Sequence, residues 1–335
     1  MAWRSKMLLL ALTLTAFLLL LVDLCVGDME LSVAQVWGAL VGSGDDPVAR
    51  EVVIRLRLVR SLVAVVAGAA LTVAGVLMQT IFRNPLAEPY LLGVSAGAGL
   101  GVSLLLLGSS IFGAALSGFW LSFGIAGAAW CGAMAVMMLM MVLSQKIKDI
   151  MVILVLGMML GSAISAVVMV LQYLGTESAL KAFVLWTMGS LGDVTSLQLA
   201  LMAAAVVVGL TIASLHIKPL NMLLLGEYYA RTMGLRVAST RGWIFLATTL
   251  LAGSVTAFCG PIGFVGLAVP HVARMVFSTA DHRTLIPASI VIGVNIMLLC
   301  DIVAKSLLLP INAITALAAI PIVVVVVLRN RAIGE

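Results

Sequence analysis

Ile150-Met151-Val152-Ile153-Leu154-Val155-Leu156-Gly157-Met158-Met159-Leu160-Gly161-Ser162-Ala163-Ile164-Ser165-Ala166-Val167-Val168-Met169-Val170-Leu171-Gln172 contains no charge, and the next charged residue is Glu177. A helix rises about 1.5 Å per residue, so this run is long enough to cross the ~30 Å hydrocarbon core of a bilayer. Gly157, Gly161 and Ser165 fall four apart on one face. Small residues at that spacing let helices approach closely in lipid, where no hydrophobic drive pulls them together.

Outward from this segment the same pattern recurs. Apolar runs fall at 7–22, 61–80, 91–108, 115–143, 150–172, 197–215, 242–258, 262–278, 285–304 and 312–328. The 335-residue chain is 63% hydrophobic and 10% charged. A soluble domain carries about 25% charged residues, so most of this surface must face lipid. Strict alternation over short blocks is absent, which argues against a β-barrel. The expected fold class is an all-α polytopic membrane protein with about ten spans. Arg4 and Lys6 precede the first run, and no small-x-small cleavage site follows it, so this run reads as a retained helix. Cys25, Cys131, Cys259 and Cys300 lie in apolar runs without CxxC spacing. Neither a metal site nor a disulfide framework is expected from them.

The charges are ordered. With an even number of spans and both termini on one side, 13 of the 19 Lys and Arg fall on that side. The positive-inside rule makes it the cytoplasmic side. A net charge of +5 spread over short loops suits a membrane better than nucleic acid. The opposite side holds Lys181, Lys305 and a crowded group: Arg50, Arg55, Arg57 and Arg60. Ala67-Gly68 with Ala74-Gly75, and Ala252-Gly253 with Cys259-Gly260, suggest an inverted pseudo-repeat relating spans 2–5 to spans 7–10.

Three segments interrupt the helical pattern. Arg83-Asn84-Pro85-Leu86-Ala87-Glu88-Pro89-Tyr90 carries two prolines four apart and reads either as a rigid turn or as a constriction lining a path. His216 to Arg241 forms a long loop in which Pro219 opens one short helix, Gly226 breaks it and Gly234 closes a second. Glu227 and Arg231 stand in the favourable i,i+4 orientation for an ion pair, and exposed Leu223-Leu224-Leu225 asks for a protein partner. Gly260-Pro261-Ile262-Gly263-Phe264 through Pro270-His271 and Arg274 places helix breakers inside a span, as transporters do near a pathway.

Taken with Gln79, LLGVSAGAG, Asp281-His282-Arg283 and Leu309-Pro310-Ile311-Asn312, these segments resemble the FecCD-like permease subunits of type II ABC importers for iron-siderophores, haem and cobalamin. The resemblance runs from about Arg55 to Leu328. It implies a ten-helix permease that pairs with a second copy of itself in the bacterial inner membrane. Two ATPase subunits sit below it and a periplasmic substrate-binding protein docks above. It implies coupling helices at about 217–236, with Leu225, Gly226, Glu227, Ala230, Arg231 and Gly234 meeting the ATPase. Arg57, Arg60 and Lys305 would receive acidic residues of the binding protein, with Lys305 standing where the family has arginine. Asn84, Pro85, Leu86 and Asp149 would line a cytoplasmic gate. Trp186, Gly189 and Ser190 would belong to a periplasmic gate helix at about 178–192. The chain contains no GxxxxGK[ST] loop, so ATP and Mg belong to the partner subunit, and neither a cofactor nor catalysis is expected of this chain.

An ion-coupled secondary transporter is the alternative from another class. The scarcity of buried carboxylates and the partner-type loop weigh against it. Substituting Glu227 or Arg231 is expected to uncouple transport from ATP hydrolysis in the reconstituted transporter. Normal transport by both variants would show that assignment to be mistaken.

Overall fold

The computed structural model describes residues 3–27, 29–43, 46–112, 118–147 and 149–331. Among the described residues all of its regular elements are helices. Helix α1 spans Trp3–Cys25, α2 Val33–Val41 and α3 Pro47–Glu51. A π-turn over Val52–Arg57 then feeds α4, Leu58–Phe82. A 3-10 turn over Pro89–Leu92 leads to α5, Val94–Phe112, followed by α6, Gly118–Lys146, and α7, Ile150–Leu174. Next come α8, Glu177–Met188, and α9, Ser196–Leu215. Two short helices follow, α10 over Ile217–Leu224 and α11 over Glu227–Thr232. Helices α12 (Val237–Thr248) and α13 (Ser254–Cys259) form one rod through a π-turn, and α14 (Val265–Phe277), α15 (His282–Leu307) and α16 (Ile311–Arg331) complete the bundle.

Among the described residues, seven helices are long and apolar enough to cross a membrane, and the apolar parts of α5, α14 and α16 form three shorter ones. These ten match the apolar runs of the sequence. The spans start where local chemistry starts them. Asp149 accepts the N–H of Met151 at the head of α7, and Asp281 accepts that of Arg283 at the head of α15. Thr195 and Gln198 form a reciprocal capping box at the head of α9. Each satisfies backbone donors that a helix leaves free at its first turn.

Helix α4 is the axis of the packing. Almost all of it between Val63 and Phe82 is buried. It lies against α14 and α15 at glycine contacts that admit no side chain. A Cβ on Gly75 would stand 1.8 Å from the carbonyl oxygen of Gly266, and one on Gly68 would stand 2.6 Å from that of Gly293. The glycine stripe of α5 packs likewise on α6, where a Cβ on Gly101 would meet the Ala128 carbonyl at 1.9 Å. The close approach substitutes dispersion contacts for the hydrophobic drive that lipid withholds.

Gly75→Ala is expected to cost about 1–3 kcal/mol through forced separation of α4 and α14. The melting temperature of the detergent-purified protein should fall accordingly. Gly127→Ala, where a Cβ meets nothing within 4 Å, should leave it unchanged.

Candidate functional site

One end of the bundle carries α10 and α11. On α10, Leu220 and Leu223 are buried and anchor the helix to the core. Leu224 and Leu225 are exposed, and with Tyr228, Tyr229 and Met233 they make an apolar, aromatic surface. The expectation that Leu223 is also exposed is corrected: it lies three residues after Leu220, on the inward face. Gly226 adopts φ 103° between the helices, a conformation that strains any residue with a Cβ. Gly234, at φ 86°, ends α11, with its N–H bonded to the Arg231 carbonyl and that of Leu235 to the Ala230 carbonyl. Ala230 is fully buried beneath the surface.

Glu227 does pair with Arg231, at 3.5 Å, but Arg231 is half exposed. Such a pair contributes ~0.3–0.5 kcal/mol. The closer partner of Glu227 is Arg241 on α12, whose side chain is 4% exposed. Arg241 also donates to the carbonyl of Ile147 in the α6–α7 turn, at 3.4 Å. The base of α11 is therefore tied by a partly buried ion pair to α12, and through Arg241 to the segment just before Asp149. Lys148, next to the expected gate residue Asp149, lies outside the described residues. Asp149 itself is exposed and caps α7.

The interrupted segment 83–92 rides on α14. Asn84 Oδ1 accepts the N–H of Leu86 at 2.9 Å, closing a tight turn, and leaves Leu86 exposed. The Pro85 carbonyl accepts from His271 Nε2 at 2.7 Å. Gln79 of α4 donates to the Leu267 carbonyl at 3.1 Å and accepts from Arg274 Nη1 at 2.5 Å. Tyr90 accepts the N–H of Ile262 at 3.2 Å. Asn84, Pro85 and Leu86 thus form one rigid turn held to α14. Beside Tyr90, a groove of about 1010 Å³ runs along the small-residue face of α7, lined by Gly157, Gly161, Ser162 and Ser165.

At the opposite end, α8 finishes at Gly189, with φ 73°. The Ser190 N–H bonds the Cys259 carbonyl at 2.8 Å. A Cβ on Gly260 would stand 2.4 Å from the Trp186 carbonyl oxygen. The segment carrying Trp186, Gly189 and Ser190 is thereby pinned to the turn between α13 and α14.

Near it, four charges alternate in sign. Arg60 Nη2 lies 2.8 Å from Asp301 Oδ1, Lys305 Nζ lies 2.9 Å from Asp301 Oδ2, and Lys305 Nζ lies 2.8 Å from Asp23 Oδ1. Two cations balance two carboxylates, which offsets the cost of burying such groups. Arg57 Nη1 donates to the carbonyls of Leu24 and Cys25, both at 3.0 Å, and Nη2 to that of Met29. Of the three docking candidates, Arg60 keeps 30% of its side chain exposed, and Lys305 keeps 4%. Arg57 is buried as well. Arg57 and Lys305 direct their charge inward because the chain after α1 folds over them. A pocket of about 420 Å³ opens above, lined by Arg57, Arg60, Lys305, Ser190 and Asp193. Sequence reasoning missed Asp23 and Arg241. An ionisable residue at the edge of an apolar span is itself a signal, and Asp23 gave it.

Lys305→Met should leave Asp23 without a cation and beside Asp301, whose remaining cation is Arg60. Breaking a buried pair this way costs about 3–5 kcal/mol. The double variant Lys305→Met with Asp23→Asn should recover part of the loss. Thermal melts of the purified variants measure both, and equal melting temperatures for wild type and Lys305→Met would show that the network is not structural.

A family model described as the FecCD transport family matches residues 13–329. The vitamin B12 import system permease protein BtuC of Klebsiella pneumoniae subsp. pneumoniae is 35% identical over 336 residues, 99% of this chain and 96% of its own. BtuC of Escherichia coli O9:H4 is 35% identical over 328 residues, 96% of this chain and 95% of its own. Among solved structures, an inward-facing conformation of a metal-chelate type ABC transporter aligns with a TM-score of 0.84 at 31% identity, across 97% of this chain and 99% of that one. PsaBC from Streptococcus pneumoniae, in complex with Fab, aligns at 0.59 with 17% identity over 88% of this chain and 95% of that one, a likeness of fold alone. The chain belongs to the FecCD transport family, and it is the membrane-spanning permease subunit of an ABC importer.

Proposed function

We propose that two copies of this chain form the channel of a bacterial inner-membrane importer for cobalamin or a comparably bulky metal chelate. The α10–α11 end faces the cytoplasm, with both termini on that side, and receives two ATPase subunits that bind ATP and Mg. The Arg60 end faces the periplasm and receives the substrate-binding protein. The chain itself binds no cofactor and carries out no catalysis. Full-length relatives named for vitamin B12 import support the cargo class.

The observation that carries this reading is the surface of Leu225, Tyr228, Tyr229 and Met233. These side chains stand exposed on two short helices whose inner faces and partly buried Glu227–Arg241 pair fix them in place. An apolar patch displayed on a rigid base is what a partner's groove recognises. Charge placement supports the direction of the chain across the membrane. Arg60, exposed in its pocket, is the docking residue for a carboxylate of the binding protein, while Arg57 and Lys305 hold the pocket's shape and potential.

Transport then follows alternating access. ATP and the loaded binding protein favour different states of the dimer, and the difference in affinity drives the exchange. The groove along α7, with its glycine and serine floor, lines the path on the dimer axis. The rigid turn at Asn84–Leu86 closes it on the cytoplasmic side, and the Trp186–Ser190 segment closes it outside.

Tyr228→Asp is expected to reduce co-purification of the ATPase subunits by tenfold or more, about 1.4 kcal/mol, with the melting temperature of the permease unchanged. Undiminished co-purification would remove the assignment of this surface. Titration of the cognate binding protein with cyanocobalamin, haemin and a ferric siderophore identifies the cargo, and failure of cyanocobalamin to bind would exclude the corrinoid.

A further inference from the structure

The two cytoplasmic helices are attached to different parts of the bundle. Helix α11 is tied to α12 through Glu227 and Arg241. Helix α10 is tied instead to the turn that starts α15. Asn221, between the buried anchors Leu220 and Leu223, directs its whole amide there. Its Nδ2 donates to Asp281 Oδ1 at 2.6 Å, and its Oδ1 accepts from the His282 backbone N–H at 3.0 Å and from His282 Nδ1 at 2.7 Å.

The orientation of that amide follows from chemistry. The backbone N–H of Arg283, first among several contacts, holds the Asp281 carboxyl below its ordinary pKa, so it is ionised and only a donor can face it. Asn221 must present Nδ2 to Asp281 and Oδ1 to His282. Because Oδ1 can only accept, the proton of the His282 ring lies on Nδ1. The other ring nitrogen meets Thr80 Oγ1 on α4 at 2.8 Å, and His282 is wholly buried. The junction joins α10, α15 and α4 with every polar atom of the Asn221 side chain engaged.

Helix α15 then runs for 26 residues, about 39 Å at 1.5 Å per residue. Its far end supplies Asp301 and Lys305 to the charge cluster, and Asp301 holds Arg60 in the outer pocket. One helix is therefore gripped at its cytoplasmic end by α10 and carries Asp301, the partner of Arg60, at the other.

We propose that Asn221 and His282 are positioning residues that make α10 and α15 move as one body, so that displacement of α10 by the ATPase is delivered to the Arg60 pocket at the outer face. This rests on the importer reading above.

The test uses the complete transporter with its ATPase subunits in proteoliposomes. Gly192 lines the outer pocket, where a Cβ would make ordinary contact with Arg60 at 3.5 Å. Gly192→Cys is placed in a background with Cys25→Ser and Cys131→Ser, and its labelling rate by a membrane-impermeant maleimide is compared without nucleotide and with ATP and vanadate. With the junction intact, the two rates should differ by at least about fivefold, the lower end of ordinary allosteric coupling. His282→Asn puts an amide nitrogen where Nδ1 stands and should preserve the difference. His282→Gln puts it where Nε2 stands, and Asn221→Ala removes the acceptor on a short surface helix. Both should reduce the difference to less than about twofold. A full difference in both variants, or none with the junction intact while the ATPase co-purifies, would overturn the proposal and leave the importer reading standing. Failure of the unsubstituted chain to retain the ATPase would overturn both.

Discussion

Close approach of α4 to its neighbours is the constraint on which the rest of the molecule depends. Gly68 against Gly293 and Gly75 against Gly266 bring backbone to backbone. In lipid, contact area gained this way is the main attraction available, since apolar side chains are equally content among acyl chains. The contact fixes α14 and α15 around a buried axis. That in turn sets where Pro85 meets His271, where Asn221 meets His282 and where Asp301 meets Arg60. A change of a few tenths of an ångström at the glycines would be felt at all three places, because packed interiors transmit displacement.

The polar groups make the second level of order. Several sit near helix ends, where they bind turns to neighbouring helices. Gln79 and Arg274 join α4 to α14, while His271 and Pro85, and Tyr90 and Ile262, join the interrupted segment to the α13–α14 region. Irregular backbone at membrane depth is tolerated only when protein satisfies it. Here that satisfaction also determines what moves together. The turn at Asn84–Leu86 cannot shift without α14, and the Trp186–Ser190 segment cannot shift without the turn after α13.

Much of this was legible in the sequence. Ten apolar runs announce ten helices because hydrocarbon thickness fixes a minimum length, and that requirement leaves a strong mark on composition. Gly226 and Gly234 mark the two short helices because few other residues adopt positive φ. The short helices α2 and α3 carry too few residues for periodicity to declare them. Nor could the fates of Arg57 and Lys305 be read. Arg60 and Asp301 are 241 residues apart, and no local pattern says that a cation will find its partner across the chain. The Glu227–Arg231 spacing is correct for a helical pair, yet the tertiary partner Arg241 is nearer, and burial makes it the stronger influence.

The charge cluster has a consequence for biogenesis. Its members come from the first, second and ninth spans, and α1 touches α15 also through Asn295, which donates to the Leu12 carbonyl at 3.0 Å. As the chain emerges from the ribosome, Asp23 and Arg60 enter the membrane long before Asp301 and Lys305 exist. The first helix meets the start of the second early, through Arg57 and Ser61, but waits for its main surface on α15 until nearly the whole polypeptide has been made. Assembly of this permease is in that sense closed by its own beginning, and a chain cut short before α15 would leave its first helix without the surface it was built to meet.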